Sequence, residues 1–456
     1  VLVILAVVLA SSASVSAGSV DTDTGGRTAL LVLALVGGLP LLVRSVRLSG
    51  PAWLPWAIGA VSAGITILLG LLIDIGRDAA AWALYAGLQL LRAREHYNDL
   101  AWVLRWVECD GCAEQDPGYA DGVLWLGAFD LLRESWTPVL GTIMTIGLSL
   151  CLVWLARTSG PRGLPVYAIA AIGGGWLLLL DRGNLDAIVL ALAVIAAAAV
   201  RRSQALWVWA LLAAAFWVVG TWKYYPFALG LMLVPVLRQR RGWMVLAGYA
   251  AATAAFLAAN WAQFTAGPAD NSRALVLDDF PALGRLPIIA RTVPEFSLDA
   301  QPLLGNLLVV LLALAGAAWG VAFARRLPGL PVIPAMLGSA GSAVFLASVL
   351  VAGFGFAYKA AFLLLIVPLL ARPLHPRDRF LLYTSLVTLL LITIPLIVGY
   401  SILLTSLAGI LAASIGAGAS LTVLWRWLRH SDGRITSRGR PRRGSAPAAS
   451  ASTPSR

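Results

Sequence analysis

Charge is scarce in this chain. Only 12% of its 456 residues are charged and 59% are apolar, with a mean hydropathy of +0.84, whereas a soluble domain carries roughly a quarter charged and half apolar residues. That balance excludes an ordinary water-soluble domain. Cysteine is rarer still: three residues cannot staple a chain of this length, which excludes a secreted disulfide scaffold. Lysine is almost absent, supplying 2 of the 34 basic residues. No Walker loop, no nucleotide-binding glycine-rich turn and no Ser/His/Asp arrangement can be found. The net charge of +12 suggests nucleic acid until it is located, because residues 426–456 hold eight Arg against one Asp, or +7 of the +12. No folded basic face for nucleic acid is expected.

What fills the chain instead is a succession of apolar runs. Runs of about 20 apolar residues can cross ~30 Å of hydrocarbon, and spans are expected at 1–17, 28–43, 52–74, 137–156, 164–180, 185–200, 205–220, 224–237, 243–263, 302–324, 329–353, 360–371, 380–398 and 402–425. The fold class expected is therefore all-α, a polytopic bundle of about 12 to 14 spans. Residues 1–17 also suit a signal peptide, but no basic residue precedes them, so they are read as a helix. Three regions follow: N-terminal helices over 1–47, the main membrane domain over 48–425, and a disordered basic tail over 426–456 that suits anionic lipid.

Orientation follows from charge. Arg44, Arg47, Arg157, Arg162, Arg201, Arg202, the Arg238–Arg240–Arg241 cluster, Arg325, Arg326, Arg372, Arg377 and Arg379 fall on alternate connections, which with the tail hold 22 of 34 basic residues. The opposite connections hold 20 of the 22 acids. The basic side is expected to be cytoplasmic and the acidic side exterior, in a multi-pass plasma or inner membrane protein. Two exterior segments are long, 75–136 and 264–301, and loops beyond ~15 residues usually carry function or are disordered. In the first, Trp82, Tyr85, Leu88 and Leu91, then Leu100, Val103, Leu104 and Trp106, recur at helical spacing and predict two juxtamembrane helices.

Several polar residues do not fit a passive span. Lys223 lies in Trp222-Lys223-Tyr224-Tyr225-Pro226 and Lys359 in Gly355-Phe356-Ala357-Tyr358-Lys359, both at exterior span ends. They serve either as interface anchors, with Pro226 opening a helix, or as ammonium groups facing a lipid-linked phosphate. In Asp181-Arg182-Gly183-Asn184-Leu185-Asp186, Asn184 suits a helix cap and Asp186 the first turn of the next span. Asp186 is nevertheless followed by fourteen uncharged residues, and ionisable groups at such depth point to function. In the acidic loop Asp99 lies among aromatic residues in His96-Tyr97-Asn98-Asp99-Leu100-Ala101-Trp102, with Asp74 and Asp78 as rivals for a catalytic carboxylate. Cys109 and Cys112 read as a short-loop disulfide rather than a metal pair, and Asp278-Asp279 as a solvated acidic pair, so neither metal nor cofactor is expected.

The ordered set resembles the polytopic GT-C glycosyltransferases, specifically the polyprenyl-phosphate-mannose-dependent type and its bacterial relatives. It is carried over residues 70–400 by Asp-Arg-Gly-Asn-Leu-Asp at 181–186, Lys-Tyr-Tyr-Pro at 223–226 and Phe-Ala-Tyr-Lys at 356–359. The resemblance implies a catalytic acid in the first long exterior loop, best matched by Asp99, with Asp74 and Asp78 left open because two further spans precede that loop. It implies a donor phosphate held by Lys223, Lys359, Arg182, Tyr224 and Tyr358, with Asn184 and Asp186 shaping the site. The partners implied are a polyprenyl-phosphate sugar donor, a lipid or glycan acceptor and membrane lipid. Two other readings stand beside this one. Arg273, Arg285 and Arg291 in the second loop suit a polymerase or ligase of lipid-linked glycans; a transporter or flippase would need midplane polar residues or inverted repeats, and none is found.

Overall fold

Long apolar runs leave the backbone one solution in hydrocarbon, which is to satisfy its own polar groups as helices. In the computed structural model, which describes residues 52–74, 97–109, 121–128, 133–261, 301–350, 357–372, 374, 377–397 and 402–430, every element is helical and no strand occurs among the described residues. The spans expected over 1–17 and 28–43, the first juxtamembrane helix, Asp78, Cys112, the 264–301 segment apart from its flanks, and the tail beyond His430 lie outside those residues.

The α-helices run α1 Leu54–Asp74, α2 Asn98–Glu108, α3 Thr137–Ser159, α4 Leu164–Ile172, α5 Gly174–Arg182, α6 Asp186–Arg202, α7 Leu206–Lys223, α8 Gly242–Ala259, α9 Gln301–Arg326, α10 Val332–Leu350, α11 Val367–Leu370, α12 Arg379–Ile397 and α13 Ile402–Arg429. Among the described residues seven helices are long and apolar enough to cross a membrane, or eight if the bent pair α4 and α5 counts as one. The protein is an all-α, multi-pass membrane bundle.

Three features depart from uninterrupted spans. The run expected over 164–180 breaks at Gly173, bending α4 against α5 by 54°. Gly173 is extended there, and a Cβ would come within 2.5 Å of the Leu396 carbonyl oxygen, so the break lets α12 approach closely. The run expected over 224–237 is a 3₁₀-helix, Tyr225–Arg238, opened by Pro226 and containing Pro235. At ~2.0 Å per residue those 14 residues reach about 28 Å, where an α-helix would reach only about 21 Å. Another 3₁₀-helix, Ala357–Leu365, leads into α11, and the stretch from Tyr358 to Leu370 lies wholly inside the bundle. The tail boundary placed at residue 426 also falls inside α13, whose last turn carries Arg426 and Arg429.

Packing is closest where glycines face backbone. A Cβ on Gly320 of α9 would overlap the Ile415 carbonyl oxygen and stand 2.7 Å from the Ala419 nitrogen of α13. By contrast only 6% of the α8 span is buried, which makes α8 a peripheral helix held mainly through Tyr249. The Tyr249 hydroxyl donates to the Phe227 carbonyl at 2.7 Å.

Arginines gather at one end of the bundle. Arg238 donates to the His430 carbonyl at 2.8 Å, Arg426 to the Ala324 carbonyl at 2.7 Å and Arg162 to the Arg372 carbonyl at 3.1 Å. Arg326 lies 4.3 Å from the Phe380 ring centroid, and Gln239 donates to the Gln204 carbonyl at 2.6 Å. Helix α6 runs from this end, at Arg201 and Arg202, to Asp186 at the other. Its 17 residues span about 25 Å, close to the thickness of a hydrocarbon core.

Candidate functional site

The end of the bundle opposite the arginines is organised around a docked surface helix. Helix α2 buries Leu100, Val103, Leu104 and Val107 and leaves Trp102 47% exposed, the expected amphipathic division. Tyr97 starts it with φ 58°. That left-handed conformation costs a non-glycine residue roughly 1 to 2 kcal/mol. The ring it places is 3% exposed, and burying a large apolar side chain stabilises by roughly 1.5 to 3 kcal/mol, enough to offset the strain. Gly141 and Gly183 make room for the ring, since a Cβ on either would meet it. The Tyr97 hydroxyl shares a 3.1 Å hydrogen bond with Thr145, and its amide donates to the Asp181 carbonyl at 2.7 Å. The first turn of α2 is thereby fastened to the end of α5.

Asp99 is in that first turn. Its Oδ1 accepts from Arg182 Nε at 2.8 Å and its Oδ2 from Asn184 Nδ2 at 2.6 Å. Gly183, with φ 60°, closes α5 and turns the chain so that Arg182 and Asn184 both reach one carboxylate. The Arg182 and Asp99 side chains remain 21% and 13% exposed.

Asn184 is the hub. Its Nδ2 donates to Asp99 and also to the Tyr358 hydroxyl at 3.0 Å, while its Oδ1 accepts the Asp186 amide at 3.0 Å and Lys223 Nζ at 2.8 Å. Lysine and an amide only donate, and an ionised carboxylate only accepts, so the orientation of the side chain is fixed and its full hydrogen-bonding capacity is used. Leu185, not Asn184, occupies the cap position of α6 and makes no side-chain cap; Asn184 stands one residue earlier and reaches the Asp186 amide from there.

Asp186 is fully buried. Its Oδ1 accepts from Lys223 at 3.1 Å and from the Tyr225 hydroxyl, while Oδ2 has no hydrogen-bond partner among the described residues. Lys223 is 12% exposed, and Lys359 is 3% exposed with its Nζ 4.8 Å from the Tyr225 ring centroid. Three cations, Arg182, Lys223 and Lys359, thus stand with the carboxylates of Asp99 and Asp186.

Of the residues expected in the site, Asp99, Arg182, Asn184, Asp186, Lys223, Tyr358 and Lys359 converge here. Tyr224 turns toward Phe256, with ring centroids 6.1 Å apart. Tyr225 takes the place at Asp186, because Tyr224 has φ 62° and the chain reverses there before the 3₁₀-helix begins. Asp74 is the last residue of α1. Cys109 is disulfide-bonded, as expected, and Cys151 is free and buried. Among the described residues no three His, Cys, Asp or Glu side chains assemble as a metal site. No family model, curated protein or solved structure matches the chain.

Proposed function

We propose that the protein is an inverting glycosyltransferase that moves a sugar from a polyprenyl-phosphate donor to a lipid or glycan acceptor at the outer face of a plasma or inner membrane. The observation that carries this reading is the bridging of Asp99 by Arg182 and Asn184. It joins a carboxylate from the acidic loop to the 181–186 segment, whose Asn184 in turn holds Lys223 and Tyr358 of the other two motif segments, at the end of the bundle away from the arginines. Nucleotide sugars are absent outside the cell, so a donor there is lipid-linked. On this reading the site end is exterior and the arginine-rich end and tail are cytoplasmic, in keeping with the bias of basic residues.

In the proposed reaction the acceptor oxygen attacks the anomeric carbon from the face opposite the phosphate, and the bond between that carbon and the phosphate oxygen breaks. Polyprenyl phosphate leaves with the electron pair. The hydroxyl proton passes to a carboxylate of Asp99, acting as general base. Arg182 is the more exposed cation and takes the phosphate, its planar fork suiting two phosphate oxygens. Lys223 is a positioning residue, neutralising Asp186 and holding the Asn184 oxygen. Lys359 and Tyr358 flank the same hub and add positive potential near the leaving group. A phosphate arriving at Arg182 competes with Asp99 for the guanidinium, so donor binding loosens the base as it is needed.

The bent pair α4 and α5 is the feature that favours a transporter, since broken helices line transport sites. Its break, however, lies among Ile172, Gly173, Gly174, Gly175 and Trp176, with no ionisable side chain. The arginines on which a polymerase or ligase reading depends lie outside the described residues. Purified protein incubated with radiolabelled polyprenyl-phosphate sugar and crude lipid acceptor tests the proposal: single-sugar transfer is expected, polymer growth would favour a polymerase, and absence of transfer would remove the enzyme reading.

A further inference from the structure

At the arginine-rich end, the last turn of α9 and the first turn of α12 enclose an open basin of about 600 Å³ lined by Arg326, Arg377, Asp378, Arg379 and Phe380. Asp378 is already committed, its Oδ1 accepting the Leu381 amide at 3.1 Å as the cap of α12. Arg326 lies over the Phe380 ring with its guanidinium carbon 4.3 Å from the centroid. Stacking engages the guanidinium face and leaves the in-plane N–H edge able to grip an oxyanion. Arg326, Arg377 and Arg379 are all exposed. Among the described residues three guanidiniums and one capping carboxylate line the basin, a balance that favours a phosphate oxyanion.

What lies beside the basin decides the source of that phosphate. Leu314 and Trp319 on α9 are 63% and 45% exposed, and Tyr383 and Val387 on α12 are 60% and 43% exposed. Trp319 pins the two helices together by donating to Thr384 at 2.7 Å and stacking on Phe380. An apolar flank therefore continues from the basic basin along the same two helices. A soluble phosphate compound has no use for such a flank, whereas acyl chains do. Basic pockets between membrane helices are a recurrent setting for anionic headgroups.

We propose that this basin binds the phosphodiester headgroup of an anionic phospholipid from the leaflet on the arginine-rich side, with its acyl chains along α9 and α12. The site lies at the opposite end of the bundle from Asp99 and does not depend on the proposed sugar transfer. The test is retention of dioleoyl phosphatidylglycerol, against dioleoyl phosphatidylcholine, by the detergent-purified full chain in native mass spectrometry. Wild type should retain the anionic lipid selectively. Arg377→Gln/Arg379→Gln should weaken that retention by about ten-fold or more, the scale of lost charge-assisted hydrogen bonds. Arg201→Gln/Arg202→Gln, which removes the same charge from an exposed position at the same end, should retain it as wild type does. Arg326→Lys keeps the charge but loses the fork and should give an intermediate result, with thermal unfolding in neutral lipid reporting that each variant is folded. Equal loss in both double variants would mean diffuse surface charge and overturn the proposal, as would unchanged retention in Arg377→Gln/Arg379→Gln. Displacement of the lipid by inorganic pyrophosphate at concentrations comparable to the lipid would also overturn it, assigning the basin to a soluble phosphate.

Discussion

Arg182 donates to Asp99 across 2.8 Å although 83 residues separate them in the chain. The contact exists because Tyr97 fits against Gly141 and Gly183, which seats the first turn of α2 on the end of α5. Both oxygens of the proposed base are engaged before any substrate arrives. A resting carboxylate held this way is well positioned and poorly available, which is the condition expected of a base released by its own donor.

Asp99→Asn tests the base. Asparagine keeps the size and can still accept from Arg182, but it cannot take a proton. Sugar transfer should fall by about 10² to 10⁴, the usual contribution of general-base catalysis, while retention of the labelled donor persists. Near-normal turnover in Asp99→Asn, together with loss in Asp74→Asn or Asp78→Asn, would move the base to that residue.

Arg182→Gln tests the phosphate contact. Glutamine can still donate to Asp99, so the base stays placed while the cation is lost. The donor KM should rise by roughly ten-fold to a hundred-fold, the range for a hydrogen bond to a charged group, with a smaller change in the acceptor KM. Equal changes in both would mean that Arg182 orders the site as a whole.

Much of the site was legible in the sequence because ionisable residues in an apolar chain are few. Lys223 and Lys359 interrupt long uncharged runs and Asp186 precedes one, while Asp99, Arg182 and Asn184 stood out by residue type and order. What could not be read was conformation. Choosing between Tyr224 and Tyr225 depends on a φ of 62° at Tyr224, which no tyrosine preference predicts. The break at Gly173 sits between apolar runs with no charge to mark it, although three consecutive glycines were the available signal. The 3₁₀ form of Tyr225–Arg238 has the same composition as an α-helix, with only Pro235 as a warning. Finally, Lys223 was readable as a cation but not as the partner of Asp186, because that pairing is made by the packing of α6 against α7.

The orientation can be measured directly. Alkaline phosphatase, which is active only outside the cytoplasm, should be active when fused after Gly118 and inactive when fused after Gly444. The reverse pattern would put the site at the cytoplasmic face and remove the reason for a lipid-linked donor.

Glycine packing gives a paired stability test. Gly320→Ala should destabilise, because its methyl would overlap the Ile415 carbonyl and the helices cannot separate freely; overpacking of this kind costs roughly 1 to 3 kcal/mol. Gly64→Ala, on α1 with nothing within 4 Å of the added atom, should be neutral or stabilising by about 0.5 to 1 kcal/mol. Thermal unfolding in detergent reads both. Equal melting temperatures for the two variants would mean that α9 and α13 are less tightly joined than their glycines imply.

Lys223→Met separates a positioning role from a ligand-binding one. Lys223 is 12% exposed and Asp186 is fully buried, so removing the ammonium group strands a carboxylate whose Oδ2 already has no partner among the described residues. Breaking a buried pair from one side costs roughly 3 to 5 kcal/mol, and the melting temperature should fall accordingly. Adding Asp186→Asn removes the stranded charge while leaving an oxygen for Tyr225, so the double variant should recover much of the lost stability. It should not recover transfer, because Asn184 would still lack the Lys223 hydrogen bond that fixes it between Asp99 and Tyr358. Wild-type melting in Lys223→Met with a raised donor KM alone would instead make Lys223 a direct phosphate ligand, and the charge pairing with Asp186 would then be incidental to the fold.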